Sequence, residues 1–173
     1  MKTFSFYALI FCMLLFVVGC NNKNKGSEQI TSKTAEEGVL INGVVWATCN
    51  VDAPNTFAES PESAGMFYQW NSKVGWSSSD PIRSSKGDSS WFIAGRMITE
   101  WTDENDPSPE GWRLPTIEEI KRLLDTQKVI KEWVTQNGTN GLKFTDKVNG
   151  NTIFLPAAGH LNDNGSLYLA GIH

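Results

Sequence analysis

The pattern of apolar and polar residues divides the chain into three parts. An apolar run covers residues 4–18, behind a single cation, Lys2. Residues 21–37 are almost entirely polar, so they cannot supply a hydrophobic core. From about residue 38 to residue 173 short apolar runs alternate with polar turns, and this part is predicted to fold.

Within the folding part, most of the pattern predicts β-structure. A hairpin is expected over residues 39–46, because Asn42–Gly43 tolerates positive φ at both turn positions. The pattern of residues 91–101 leaves open whether they form a strand or a buried helix. Later strands are predicted at Lys131–Val134, Gly141–Asp146, Asn151–Leu155 and Ser166–Ala170.

One clear helix is predicted, from about Ile117 to Asp125. Thr116 and Glu119 form a capping-box pattern, and apolar residues then recur on one face. Residues 71–90 are rich in Ser, Gly, Asp and Lys and are expected to be a long surface loop.

The apolar run has the layout of a secretory signal, because it follows a single cation and is followed by small residues. The run is too short for a membrane span. Val17–Val18–Gly19–Cys20 resembles the lipobox of bacterial lipoproteins. In that family the cysteine thiol receives a diacylglycerol, cleavage makes the cysteine residue one, and its amine is acylated. The resemblance implies lipidation of Cys20 and a membrane anchor, since two or more acyl chains anchor a protein stably in a membrane. The alternative is an ordinary signal peptide with a chance cysteine.

These patterns predict a domain organisation and a location. Residues 1–19 are the expected signal peptide, 20–37 the lipidated cysteine with a tether, and 38–173 the folded domain. The expected location is the envelope of a Gram-negative bacterium, at the outer membrane, with periplasmic and surface-facing orientations both open.

Composition excludes some functions. The net charge of −4 and the isoelectric point near 5.2 argue against a nucleic-acid partner, which requires a basic surface. Only Cys49 would remain as a thiol in the processed domain, so no internal disulfide is available there; it is expected to be either a buried small side chain or a reactive thiol. The sequence contains no common catalytic motif, so no catalytic residue, metal site or cofactor is predicted.

The aromatic and acidic side chains suggest two candidate binding sites. Trp76 and Trp91 lie near the expected long loop, and as surface aromatics they would stack on a sugar or bind a protein; the alternative is core packing. The acidic segment Asp103–Asp106 offers oxygens to Ca²⁺, although clustered carboxylates in a loop are more often solvated.

Four blocks of sequence carry a resemblance to a known family. In order along the chain they are Trp46–Val51, Tyr68–Trp70, Asn105–Thr116 and Phe154–Gly159. Together they resemble the Fibrobacter succinogenes major paralogous domain family, which is related to the C-type lectin-like and formylglycine-generating-enzyme folds. The resemblance covers roughly residues 38–173. It implies an α+β, C-type lectin-like fold with a twisted, mostly antiparallel sheet, one clear helix and long loops.

The chain departs from that family at three places. The family often has cysteine where this chain has Ser108, and loss of a bridge to a position near Cys49 would leave Cys49 unpaired. The active-site cysteine pair of formylglycine-generating enzymes cannot be supplied here. The closing strands of the family are expected after His173, so the domain is expected to be incomplete at its C-terminus.

The resemblance therefore implies a non-enzymatic envelope lipoprotein that presents a lectin-like domain. The ligand is expected to be a glycan, a peptide or an envelope protein. The alternatives are a structural or assembly component of the envelope and a degenerate enzyme of the formylglycine-generating type.

Overall fold

The computed structural model describes residues 18–19, 37–91 and 100–172. Within these ranges the elements are one α-helix, α1 (Ile117–Leu123), a 3₁₀ turn (Asp103–Asn105) and eleven strands. In chain order the strands are β1 (Val18–Gly19), β2 (Val39–Ile41), β3 (Val44–Trp46), β4 (Phe67–Tyr68), β5 (Gly75–Trp76), β6 (Trp112–Arg113), β7 (Val129–Gln136), β8 (Thr139–Asp146), β9 (Thr152–Pro156), β10 (His160–Leu161) and β11 (Leu167–Tyr168).

The predicted hairpin is confirmed by β2 and β3. Its turn holds Asn42 at φ 44° and Gly43 at φ 78°, the left-handed region that this dipeptide tolerates. The two strands belong to a four-stranded sheet with the order β2-β3-β1-β6. Every strand pairing in this sheet is antiparallel.

The strands predicted in the last third are also confirmed. β7, β8 and β9 form a continuous antiparallel sheet in which β8 is central. Gly141 lies in β8, where a Cβ atom would meet the backbone oxygen of Leu155 and would lie 2.6 Å from Cζ of Phe154. A glycine is therefore required for this close packing of β8 on β9.

The C-terminal hairpin of β10 and β11 explains the small residues at 157–159. A Cβ atom on Gly159 would meet the carbonyl oxygen of Tyr168 and lie 2.7 Å from the backbone nitrogen of Ala170. The segment at residues 168–170 therefore approaches the backbone of Gly159 closely.

The prediction of one long loop over residues 71–90 is wrong in part. β5 lies inside it and pairs with β4, and Ser84 bridges to Trp76. Ser84 is buried, and its hydroxyl donates to the Asp88 carboxylate. The polar composition of the segment concealed a short strand, because two residues are too few to show alternation. Of the segment 91–101, residues 92–99 lie outside the described part of the chain.

The predicted helix is confirmed, but it ends two residues early, at Leu123. Thr116 Oγ1 accepts from the backbone N–H of Glu119 at 3.3 Å, and the Glu119 carboxylate accepts from the Thr116 N–H at 2.7 Å. Both halves of the capping box are therefore present.

Three buried apolar clusters hold these elements together. The first joins β2, β3, α1 and the β7–β9 sheet around Trp46 and Phe144. The second surrounds Phe67 and Trp76, and the third surrounds Val51 and Tyr68. The core is thus divided among several small sheets rather than covered by one twisted sheet.

At the coarse level the fold is α+β, with small antiparallel sheets and a single helix in the described part. Among the described residues, none of the helices has the length and apolar character needed to cross a bilayer.

Candidate functional site

The structure places the predicted site residues in separate parts of the molecule. Cys20 lies outside the described residues, but the two residues before it form β1. Trp76 and Trp91 lie together in the second apolar cluster. The acidic segment Asp103–Asp106 lies in the loop before β6.

The expectation that Trp76 and Trp91 form an exposed aromatic surface is wrong for Trp76. Trp76 is only 4% exposed, and Trp91 packs edge-on against it with ring centroids 5.1 Å apart. The Trp91 indole N–H donates to the carbonyl oxygen of Asp163 at 3.0 Å. Trp76 therefore fits the alternative of core packing, with the partly buried Trp91 packed against it.

Calcium binding at Asp103–Asp106 gains no support from the geometry. Asp106 accepts backbone hydrogen bonds from Ser108 at 2.8 Å and from Leu114 at 2.9 Å. Across residues 37–91 and 100–172, no group of three or more acidic, histidine or cysteine side chains is arranged to hold a metal ion. The Asp106 carboxylate is used to fold its own loop.

The same loop instead forms one wall of a cleft of about 660 Å³. The cleft combines both signs of charge with an amide, a hydroxyl and an aromatic ring. Its lining residues are Asn55, Lys73, Asp103, Asp106, Ser108, Pro109, Glu110, Trp112 and Arg113.

An asparagine clamp fixes the acidic wall of this cleft. Asn71 is buried, and its Oδ1 accepts from the backbone N–H of Thr102 at 2.9 Å and from Asn105 Nδ2 at 3.3 Å. The Trp101 indole N–H donates to the carbonyl oxygen of Asn105 at 2.9 Å. These bonds hold the 3₁₀ turn, so Asp103 is presented to the cleft from a fixed backbone.

The charges in the cleft are not equivalent. Arg113 pairs with Glu119 at 2.7 Å and also donates to the Leu114 carbonyl oxygen. The hydrogen bonds from Arg113 lower the pKa of Glu119 to about 2. Within the described part of the chain Lys73 makes no ion pair.

Ser108 is the most unusual residue of the cleft. Its side chain lines the cleft, the residue is 8% exposed, and its Oγ is buried without a hydrogen-bond partner. A buried hydroxyl without a partner costs about 1 to 3 kcal/mol. Trp46 Nε1 is buried without a partner in the same way, so an unpartnered group of this kind needs an explanation, and a ligand or an ordered water that reaches Ser108 would supply one.

Two other polar side chains are explained by structure. Burial raises the pKa of the Cys49 thiol, which disfavours the nucleophilic thiolate. Burial also raises the pKa of Tyr68, whose hydroxyl donates to the carbonyl oxygen of Asp52. Cys49 itself is only partly buried.

Sequence reasoning missed the cleft because its walls come from distant segments around residues 55, 73 and 103–113. No local signal marked the burial of Pro107, Ser108 and Pro109, which follow the acidic segment. Comparisons with protein-family models, curated proteins and solved structures find no match for this chain.

Proposed function

We propose that this chain is a non-enzymatic envelope lipoprotein whose C-type lectin-like domain binds a hydroxyl-rich glycan in the cleft described above. The cleft with its unpartnered Ser108 hydroxyl is the observation that carries the proposal. Resemblance to the major paralogous domain family supports the lectin-like assignment.

The chemistry of the cleft favours a glycan over a strongly charged ligand. The carboxylates of Asp103 and Glu110 and the amide of Asn55 are planar groups that accept or donate hydrogen bonds to sugar hydroxyls. Trp112 supplies an apolar ring, which is half-buried and packs edge-on against Phe57. Opposite charges around one cleft disfavour a ligand of either sign alone.

Binding rather than catalysis is proposed because the sequence contains no common catalytic motif. Burial disfavours the thiolate of Cys49, and the Tyr68 hydroxyl is likewise held protonated by burial. These groups therefore serve as neutral packing and hydrogen-bonding side chains in the proposal.

The glycan proposal is tested with the full-length protein purified in detergent and applied to a glycan array. We expect Lys73→Ala and Asp103→Asn to weaken binding of the selected glycan, whereas Lys131→Ala, an exposed cation that does not line the cleft, leaves binding unchanged. Ser108→Ala gives a sharper result. This substitution should stabilise the unliganded protein by about 1 kcal/mol and should still weaken binding of the glycan. Loss of stability without loss of binding in Ser108→Ala would contradict the proposal.

The anchor is tested separately at Cys20. Cys20→Ala should abolish incorporation of a fatty-acid analogue, because it removes the acceptor thiol. Unchanged labelling of this variant would show that the protein is not lipidated at Cys20, whatever the glycan array gives.

A further inference from the structure

Five asparagines of this chain directly precede a glycine, and all five pairs lie in the described residues. They are Asn42–Gly43, Asn137–Gly138, Asn140–Gly141, Asn149–Gly150 and Asn164–Gly165. Asparagine is a thermolabile residue, because the backbone nitrogen of the next residue can attack its side-chain carbonyl carbon. A following glycine has no side chain to hinder that attack. The fold decides which of the five pairs is able to react.

Ring closure requires a backbone nitrogen that is not engaged and a peptide that can rotate. The nitrogen of Gly150 donates to the carbonyl oxygen of Asp146 at 3.0 Å, and the nitrogen of Gly165 donates to the carbonyl oxygen of Asn162 at 2.8 Å. Both nitrogens would have to lose a hydrogen bond before they react.

The pair Asn140–Gly141 is held by the sheet. Gly141 is buried in β8, the central strand, where it is in register with Val134 of β7 and Pro156 of β9. Rotation of this peptide would disrupt the pairing with both neighbouring strands, so the extended backbone protects Asn140.

The other two pairs form the tight turns of hairpins. Asn42–Gly43 joins β2 to β3, and Asn137–Gly138 joins β7 to β8, with positive φ at all four residues. In the described part of the chain, neither glycine nitrogen donates a hydrogen bond. These two pairs therefore share an unengaged nitrogen and differ in their surroundings.

Asn42 is tied to two other elements. Its backbone N–H donates to Asp146 Oδ2 at 2.7 Å, and its side-chain amide donates to the carbonyl oxygen of Arg122 at 2.9 Å. These bonds connect the β2–β3 turn to the end of β8 and to α1. Rotation of the Asn42 peptide would break both bonds, so this turn opens rarely.

Asn137 lies at the exposed tip of the β7–β8 hairpin and is held by its side chain. The side-chain amide donates to Glu62 Oε1 at 2.8 Å, and both Asn137 and Gly138 are exposed. A Cβ atom on Gly138 would meet no atom within 4 Å, so the turn has room to rotate. Loss of one exposed hydrogen bond is enough to open it.

We propose that Asn137–Gly138 is a site of spontaneous covalent modification, at which the folded protein converts Asn137 to aspartate and isoaspartate. The Gly138 nitrogen forms a bond to Cγ of Asn137 and gives up its proton, and Nδ2 leaves with that proton as ammonia. One water molecule then opens the cyclic imide at either of its carbonyl carbons. No oxidant or reductant takes part.

Either product changes the contact between the hairpin and Glu62. The carboxylate formed at residue 137 repels the Glu62 carboxylate and has no N–H to donate. The bond from Gln136 Nε2 to Glu62 Oε1, at 2.7 Å, would remain. Isoaspartate also adds one atom to the main chain of a two-residue turn, whose length sets the register of the strands. The modification therefore loosens the tip of this hairpin.

The test follows all five pairs in the full-length protein, purified in detergent and incubated at mildly alkaline pH. Tandem mass spectrometry locates each conversion of an amide to an acid, which is needed because Asn137 and Asn140 share the tryptic peptide 132–143. We expect Asn137 to convert at least about tenfold faster than each of the other four, because each of those must first lose a further hydrogen bond or a strand pairing.

The unfolded chain is the control for local sequence. In concentrated urea the five rates should converge, because the advantage of Asn137 comes from the fold. Asn137→Gln should abolish the earliest acidic species in ion-exchange chromatography, since the longer side chain does not readily close the five-membered ring. The matched substitution Asn164→Gln, in the turn between β10 and β11, should leave the conversion of Asn137 unchanged.

Three results would overturn the inference. They are another Asn–Gly pair that converts first in the folded protein, a ranking of the five pairs that is the same in urea, and persistence of the earliest acidic species in Asn137→Gln. The measurement requires neither processing at Cys20 nor a ligand in the cleft. Failure of either earlier proposal therefore leaves this test intact.

Discussion

The Glu119 carboxylate stabilises two different features of the fold. Its oxygens accept from both terminal nitrogens of Arg113, at 2.7 and 2.9 Å, and from the backbone N–H of Thr116 at 2.7 Å. It therefore joins β6 to the start of α1. An ion pair with bidentate geometry and limited exposure contributes more than an ordinary surface pair.

This geometry predicts a pH dependence. The folded-state pKa of Glu119 is about 2 against a reference value of 4.5. A depressed carboxylate pKa adds stability above the unfolded value, and the contribution is lost as the pH falls from 4.5 toward 2. At pH 7, Glu119→Gln should lower the free energy of unfolding by about 1 to 2 kcal/mol, discounted for partial exposure.

Denaturant melts between pH 2 and 7 measure this effect. The difference between wild type and Glu119→Gln should shrink steadily below pH 4.5, the reference pKa. Glu118→Gln, which changes a more exposed neighbouring carboxylate, is the matched control and should have little effect. A constant difference at every pH would mean that the ion pair does not stabilise the folded state.

At the scale of elements, α1 depends on its first turn. The helix has seven residues, and helices this short are marginal without capping or packing. Its Leu123 is buried, and Ile120 packs against the first cluster, but Ile117 is 64% exposed. The capping box therefore supplies a substantial share of the stability at its N-terminal end.

We expect Thr116→Ala to lower the free energy of unfolding by about 1 kcal/mol, because it removes the acceptor for the Glu119 N–H. Thermal or denaturant unfolding of the full-length protein measures the loss. Thr126→Ala, at an exposed position after the helix, is the control and should be nearly neutral. Equal stability of the two variants would show that the Thr116 cap is dispensable.

The elements pack into a molecule with an uneven surface. The C-terminal hairpin exposes four large apolar side chains within a few residues of one another: Leu167, Tyr168, Leu169 and Ile172, at 42%, 53%, 45% and 61%. Leu169 also has φ 59°, a conformation that a bulky side chain rarely adopts. Clustered exposed apolar groups favour association.

We therefore expect the protein to bind a hydrophobic dye or to self-associate through this hairpin. Leu169→Asn combined with Ile172→Ser should reduce dye fluorescence and the associated fraction in sedimentation, because it removes apolar surface and suits the positive φ at residue 169. Val148→Ser changes an isolated side chain that is 84% exposed and should leave both readouts unchanged. A dye-silent, monomeric wild-type protein would contradict the expectation.

Local signals in the sequence determined the elements whose stability is local. Asn42–Gly43 determined the β2–β3 turn, and Thr116 with Glu119 determined the start of α1, because a turn or a cap depends on residues within a few positions. The strands of the β7–β9 sheet were predicted from apolar runs and polar turns, although β7 proved longer than expected. The coarse α+β class followed from these elements.

Tertiary structure decided which side chains meet. Trp76 and Trp91 are aromatic in any context, but only the packing of the second cluster buries one against the other. The cleft brings together segments around residues 55, 73 and 103–113, whose spacing carries no local signal. Val18 and Gly19 likewise pair with β3 and β6 over a long distance in sequence. A sequence pattern does not encode such a pairing, because any extended backbone can form it.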